Sequence, residues 1–255
     1  MQRLTLCLIA RDEEAMLPGC LASVSGVVDS IVVADTGSTD ATPRIAERAG
    51  ARVVRVPWTD DFAAARNAAL DHVELVNAGF VLWLDADERL APGAGAALKR
   101  ALREGAIDCG LMPLHDAESL DAQAADVVAG DSRRGEPVLL PRLLRRTPDL
   151  RWEGIVHEQV AGWLEQPGRR IAVLDAPIVH LGAVPELRAQ RNKNERNYAL
   201  LARLCAAEPE NAVARAFLAR EHLRRGEESE ARAVLARAWA SLEALGGQAR
   251  RYDVV

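Results

Sequence analysis

The residues best equipped for chemistry lie between Gly79 and Glu88, which read Gly-Phe-Val-Leu-Trp-Leu-Asp-Ala-Asp-Glu. An uncharged run from Gly79 to Leu84 leads straight into the carboxylates of Asp85, Asp87 and Glu88. An apolar run this short, bounded by glycine and acid, suits a strand buried on both faces. The carboxyl ends of such strands are where open α/β sheets place their ligand crevice. In an extended backbone alternate side chains point the same way, so Asp85 and Asp87 are expected to face one point, with Ala86 turned away. Two carboxylates aimed at one point suit a hard divalent cation, Mg2+ or Mn2+. A cation with few protein ligands usually also holds substrate phosphates. The expected chemistry is therefore a metal–diphosphate site, with Asp87 central to it. An isolated Asp-x-Asp is as readily an acid-rich turn before a helix, so the rest of the chain has to decide.

A second chemical stretch is Trp152-Glu153-Gly154-Ile155-Val156-His157-Glu158. Its His157-Glu158 pair combines a metal ligand with a base. Ile178-Val179-His180-Leu181-Gly182 is a further apolar run ending in histidine. Neither has helical zinc spacing such as HExxH, and a lone His-Glu pair in a strand is more often structural than catalytic. Asp35 stands where a strand gives way to the polar turn Thr36-Gly37-Ser38-Thr39-Asp40 and could accept a hydrogen bond from a base or ribose. The plain alternative is a turn residue. Arg66 and Asn67 fall in the early turns of a helix, where an arginine could reach a phosphate and an asparagine could tie strand ends together.

The elements that must position these residues alternate. Leu4 to Ala10 is a first buried strand. It is followed by an amphipathic helix through Leu17, Leu21 and Val24, with Asp12 as N-cap and Glu13 and Glu14 in the first turn. Ser30 to Ala34 is a second strand, after which Thr42 as N-cap and Pro43 start a helix that Gly50 closes. Ala51 to Val56 is a third strand, and the helix after Asp60-Asp61 is expected to run to about Val76. The Gly79 strand follows. This β-α-β-α-β-α-β order predicts an α/β fold, a mostly parallel, Rossmann-like sheet with helices on both faces. Pro92 to Arg103 should be a helix, Cys109 to Leu114 a strand, and Leu139 to Arg146 another, with Arg142, Arg145, Arg146 and Arg151 close together. Residues 115–137 lack periodicity and are expected to form a long mobile loop over the site. From Pro185 the composition turns helical, which places a main domain at 1–184 and a small α-helical tail at 185–255. The spacing of Ala212, Ala216, Leu218, Ala219, Leu223, Gly226, Ala231, Leu235 and Ala238 resembles one tetratricopeptide-type helix pair. One pair cannot stand alone, so it needs a partner surface on the main domain or on a second copy in a homodimer.

Composition narrows the field. The chain has 255 residues and a net charge of -5, with no basic excess to neutralise a nucleic acid. Cys7, Cys20, Cys109 and Cys205 are widely spaced, which argues against a zinc site or disulfide framework. No apolar run approaches the ~20 residues of a membrane span and the N-terminus lacks the layout of a cleavable signal. The expected location is cytoplasmic, with peripheral contact at the inner membrane face left open.

Taken together, several segments resemble the family 2 glycosyltransferases of GT-A fold. They are Ala10-Arg11-Asp12-Glu13-Glu14, Val33-Ala34-Asp35-Thr36-Gly37-Ser38-Thr39-Asp40, Phe62-Ala63-Ala64-Ala65-Arg66-Asn67 and Trp83-Leu84-Asp85-Ala86-Asp87-Glu88. The match covers about Leu4 to Leu114. It is nearest to a bacterial subgroup with lipopolysaccharide-core glucosyltransferases and bacteriocin S-glycosyltransferases. Members of that subgroup similarly carry a Trp/Tyr-Glu-Gly-x-x-His-Glu stretch and a His-x-Gly segment before a Lys-x-x-Arg-Asn helix, like Lys193 to Asn197 here. Arg11-Asp12 departs from their usual Lys/Arg-Asn, and Ala183 stands where they often have tyrosine.

The resemblance implies a metal-dependent, inverting transfer of a sugar from a UDP-sugar or other nucleotide-sugar donor. The acceptor would be a glycan, lipid-linked glycan, peptide or small molecule. It implies that Ala10, Arg11 and Glu13 line the nucleotide pocket with the Gly37-Ser38 turn, and that Asp35 binds uracil or ribose. Arg66, Asn67 and Ala86 would support that pocket. Asp85 and Asp87 would hold Mg2+ or Mn2+ on the diphosphate, with Asp85 also near ribose. Glu158 or His157 would supply the base, and the other of the two, or His180, would complete the metal shell. Two alternatives compete. A sugar-1-phosphate nucleotidyltransferase would want a glycine-rich phosphate loop after the first strand, where this chain has carboxylates. A scaffold protein with an inert transferase domain and a helical adaptor tail would not need Asp35, Asp85 and Asp87 intact.

Overall fold

The computed structural model describes residues 2–73, 79–190 and 193–244. In chain order the elements are β1 (Leu4–Ala10), α1 (Leu17–Ser23), β2 (Ser30–Asp35), α2 (Thr42–Arg48), β3 (Arg52–Arg55), α3 (Phe62–Leu70), β4 (Phe80–Trp83), β5 (Glu88–Leu90) and α4 (Ala94–Glu104). There follow β6 (Cys109–Ala117), α5 (Ala124–Ala129), β7 (Arg133–Arg145), α6 (Ala161–Leu164), β8 (Ile171–Val173) and β9 (Ile178–His180). The last helices are α7 (Pro185–Gln190), α8 (Lys193–Ala207), α9 (Ala212–Arg224) and α10 (Glu228–Ala244). Two compact units emerge, Met1–Gly154 with Glu158–Arg188, and Ile155–His157 with Ala189–Val255.

The first unit is built on a 9-stranded sheet in the order β3-β2-β1-β4-β7-β6-β9-β5, with β8 paired to β6. β1 to β4 are mutually parallel, as the alternation of strand and helix demands. β7 then inserts antiparallel between β4 and β6, and β5 runs antiparallel to β9 at the far edge. Leu4, Leu6, Leu8 and Ala10 of β1 share one core with Leu17, Cys20 and Leu21 of α1, Phe80 and Leu82 of β4, and Leu98 and Leu102 of α4. Burying each large aliphatic side chain there contributes about 1.5–3 kcal/mol. The intervening residues Cys7 and Trp83 are register partners and face the other way, where α3 lies. Both faces of β4 are thus covered, and every residue of it is buried.

Several local expectations need correction. α1 begins at Leu17 with Met16 as N-cap, and α2 begins at Thr42 with Ala41 as N-cap, neither capped by a side chain. Asp12 and Thr42 are committed elsewhere, as the site geometry shows. α3 ends at Leu70 with Asp71 as its C-cap; residues 74–76 of the expected helix lie outside the described residues. The stretch 115–137 is not a loose loop. β6 continues to Ala117, α5 follows, and β7 returns from Arg133 in register with β6. Val127 of α5 is fully buried in a small cluster with Ala91, Ala117, Val179 and Leu181. The buried anchors Ala117 and Val127 are too widely spaced to leave a period in a stretch rich in Asp, Ala and Gly, which is why they could not be seen there.

In the second unit, α9 and α10 pack as a helix hairpin turned at Gly226, whose φ is +75°. α8 packs on α9 and supplies a third helix to the expected pair. His157 belongs to this unit, its ring stacked on Phe217 at 3.7 Å.

Gly79 brings β4 so close to β1 that a Cβ there would lie 1.7 Å from the Arg3 carbonyl oxygen and 2.6 Å from the Arg3 backbone nitrogen. Backbone atoms cannot swing aside as a flexible side chain does. Gly79→Ala is therefore expected to destabilise the fold by about 1–3 kcal/mol, seen as a lower denaturation midpoint in urea. An unshifted midpoint would mean that the β1–β4 approach is not tight.

Candidate active site

Ala10 and Asp35 are register partners at the carboxyl ends of β1 and β2. The Ala10 carbonyl accepts the Thr36 N–H at 2.9 Å and the Thr36 hydroxyl at 3.2 Å. Asp35 is buried, and its Oδ1 accepts the Ser38 N–H at 3.1 Å across a turn in which Gly37 has φ +104°. That is an Asx-type turn, so part of Asp35's role is structural. The two loops then lace together. Asp12, at φ +52°, accepts the N–H of Thr39 at 2.7 Å and its hydroxyl at 3.1 Å, and donates its own N–H to Ser38 Oγ at 3.0 Å. Glu13 N–H donates to Thr42 Oγ1 at 2.7 Å, Glu14 N–H to Asp40 Oδ2 at 3.0 Å, and Ala41 N–H to Glu14 Oε2 at 3.0 Å. Side chains that would otherwise cap helices instead fix a preformed floor at the rim of the sheet.

At the end of β4 the backbone does not stay extended. Glu88 N–H bonds the Asp85 carbonyl at 2.9 Å, and the Glu88 carboxylate accepts the Asp85 N–H at 2.9 Å. The segment that carries Asp85 and Asp87 is therefore a turn, not the extended strand expected for it. Asp85 Oδ1 accepts from Arg66 Nη2 at 3.0 Å, and its Oδ2 lies 3.6 Å from Arg142 Nη2. Arg142 also pairs with Glu88. Burial pushes the Glu88 carboxyl up to about 7, against the pull of Arg142. Ala86 is buried, with its carbonyl held by Arg89 at 2.8 Å.

Arg66 is the hub. Its Nε donates to Glu158 Oε1 at 2.5 Å, and its guanidinium carbon lies 5.2 and 4.8 Å from the ring centroids of Trp83 and Trp152. The two indoles meet edge to face at 5.3 Å. Asn67 clamps the Trp152 backbone with two bonds of 2.9 Å, one donated and one accepted. α3 thus carries, at consecutive positions, the residue that orients two carboxylates and the residue that holds the stretch bearing one of them.

Asp87 is buried, and its carbonyl accepts the Leu181 N–H at 2.9 Å. His180 Nε2 lies 3.8 Å from Asp87 Oδ1, and Nδ1 lies 2.7 Å from Asp116 Oδ1. Burial disfavours the imidazolium, but the Asp116 hydrogen bond and the charges of Asp87 and Glu88 outweigh it and raise the His180 pKa. A Cβ on Gly182 would lie 2.3 Å from Asp87 Oδ2 and 2.5 Å from His180 Nε2. The missing side chain leaves a small cradle between a carboxylate and an imidazole. Those donors fit a Mn2+- or Mg2+-type cation that takes the rest of its shell from phosphate and water. Among the described residues no trio of His, Cys, Asp and Glu could hold a metal by itself.

Of the expected residues, the first unit gathers Asp85, Arg66 and Glu158 in one network, and Asp87 and His180 in another. Arg11 is exposed. His157 belongs to the second unit. It has φ +52°, is stacked on Phe217, and has its pKa lowered to about 4 by burial and by Arg220 and Arg224. Asp116, Arg142, Trp83 and Trp152 gained no role from sequence, because their partners come from elements distant in the chain.

Comparison with known proteins follows this geometry. A TPR repeat-containing protein of Synechococcus elongatus is 36% identical over 83% of this chain and 50% of its own length. The prophage-derived glycosyltransferase SunS of Bacillus subtilis is 25% identical over 86% of this chain and 49% of its own. The chain thus spans about half the length of these curated relatives. The crystal structure of S. aureus TarS 1-349 superposes with a TM-score of 0.55 at 17% identity, covering 96% of this chain and 73% of that one, which shows a shared GT-A-like fold. The family model described as glycosyl transferase family 2 matches residues 5–163, the part that carries Arg66, Asp85, Asp87 and Glu158 though not His180, and the chain belongs to that family.

Proposed function

We propose that the chain transfers a sugar from a UDP-sugar, or a related nucleotide-sugar, to an acceptor oxygen, sulfur or nitrogen, with inversion at the anomeric carbon. The acceptor belongs to a glycan, a lipid-linked glycan, a peptide or a small molecule. The observation that carries this reading is the Asp87–His180 pair over Gly182, at the same carboxyl rim of the sheet as the laced loops of β1 and β2. TarS has been crystallised with UDP and with UDP-GlcNAc, which supports a uridine nucleotide.

In this reading Ala10, Arg11, Glu13, Asp35, Gly37 and Ser38 surround the nucleoside, and Asp85, Ala86, Arg66 and Asn67 support the ribose and sugar. Asp87 and His180 would hold Mn2+ or Mg2+, and a cation there would supply Lewis-acid neutralisation of the charge that builds on the departing nucleotide. Glu158 serves as the acceptor-side base. Arg66 grips one of its oxygens and so fixes the direction from which the carboxylate receives the acceptor's proton. His157, its ring stacked on Phe217 and its pKa lowered to about 4, holds the adjoining chain in this reading rather than moving a proton.

UDP with Mn2+ is expected to raise the melting temperature of the full chain, while UDP with chelator is not. Asp87→Ala should abolish that metal-dependent shift together with UDP release from every donor in a nucleotide-sugar screen. An unaltered shift would remove Asp87 from the donor site. Gly182→Ala, by crowding the same cradle, should weaken the Mn2+ effect at least tenfold without lowering the melting temperature of the bare protein by more than a few degrees. Glu158→Gln should reduce kcat by about 10²–10⁴-fold with donor KM retained, and full turnover in that variant would take Glu158 out of the base role.

A further inference from the structure

We infer that Asp116 is a positioning residue for the cation site. It fixes the ring of His180 so that Nε2 faces Asp87, and through that ring it sets the affinity for the divalent ion. The inference rests on the donor-site reading above and concerns a residue in a stretch that the sequence presents as a featureless loop.

Asp116 and His180 are register partners on the adjacent parallel strands β6 and β9. Backbone pairing therefore holds the carboxylate beside the imidazole, and the Oδ1–Nδ1 distance is 2.7 Å. The far nitrogen, Nε2, is 3.8 Å from Asp87, too long for a hydrogen bond. The ring is thus oriented from the Asp116 side. A carboxylate is an acceptor only, so it selects the tautomer with hydrogen on Nδ1 and leaves the Nε2 lone pair pointing at Asp87. A carboxylate behind a ligating histidine also raises the basicity of the donor nitrogen.

The surrounding packing supports this role. Ala117 and Val179, each next in sequence to one member of the pair, are buried in the cluster that Val127 of α5 completes. The neighbouring His115 is engaged separately by Arg133 at 3.3 Å. Asp116 itself keeps 42% of its side chain exposed, so it needs no partner to offset burial. Its bond to His180 serves the histidine.

The test uses the full chain and Mn2+ with UDP, following free Mn2+ by electron paramagnetic resonance. Asp116→Ala should weaken Mn2+ binding about 10–100-fold, and Asp116→Asn, which keeps an oxygen acceptor for Nδ1–H, should recover most of that loss. Nitrogen-15 NMR of the histidine rings in metal-free protein at pH 8.5, with His180 assigned from His180→Ala, gives a readout that general destabilisation would not move. The wild type and Asp116→Asn should show His180 with hydrogen on Nδ1, and Asp116→Ala a shift toward hydrogen on Nε2. Wild-type Mn2+ affinity in Asp116→Ala, or an unchanged tautomer, overturns the inference; should that variant not fold, an Asp116→Asn protein that loses affinity as fully as His180→Ala overturns it instead. A wild-type chain that takes up no Mn2+ with UDP overturns the donor-site reading and this inference with it.

Discussion

A guanidinium packed against two indole rings and paired with two carboxylates is the arrangement on which the site depends. Arg66 is almost wholly buried, and removing such a charge from water costs several kcal/mol unless partners replace the lost hydration. Asp85 and Glu158 provide that replacement, and Trp83 and Trp152 add their ring faces. Removing both carboxylates would leave the Arg66 charge buried and without an ion-pair partner among these groups. The network therefore ties the turn after β4 to the segment that follows β7, and it does so directly above the rim of the sheet.

The sheet topology decides what else reaches that rim. Parallel β1 and β2 bring two loops together, and reciprocal side-chain-to-backbone bonds stiffen them. β7 enters between β4 and β6 and carries Arg142 to Asp85 and Glu88. The short strands β5 and β9 then align Glu88 with His180, and β6 aligns Asp116 with the same histidine. Three-residue strands contribute little stability by themselves. Their value lies in register, because one residue of slippage would turn His180 to the opposite face.

Much of this was legible in the chain. The β-α-β-α-β-α-β order, the burial of β4 on both faces and the closure of α2 by Gly50 follow from short-range pattern, and the structure has them. The start of α3 after Asp61 followed too, but the caps of α1 and α2 did not, for a specific reason. Asp12 and Thr42 have the chemistry of N-caps, but each finds a better-placed donor in the other loop, and no local rule reports that competition. The premise of an extended Asp85-Ala86-Asp87 failed similarly. Glu88 supplies both a backbone donor and a side-chain acceptor that fold the segment into a turn.

By itself, then, the sequence determined the kinds of elements, their order and the presence of acids at a strand's end, since these depend on periodicity and on neighbours a few residues apart. Tertiary structure decided which acid meets which cation. Asp85 went to arginines from α3 and β7, Asp87 went to a histidine from β9, and adjacent His157 and Glu158 joined different units. Those outcomes are set by strand register and by the cost of burying unpaired charge. Both are properties of residues brought together across the sheet, and no window along the chain contains them.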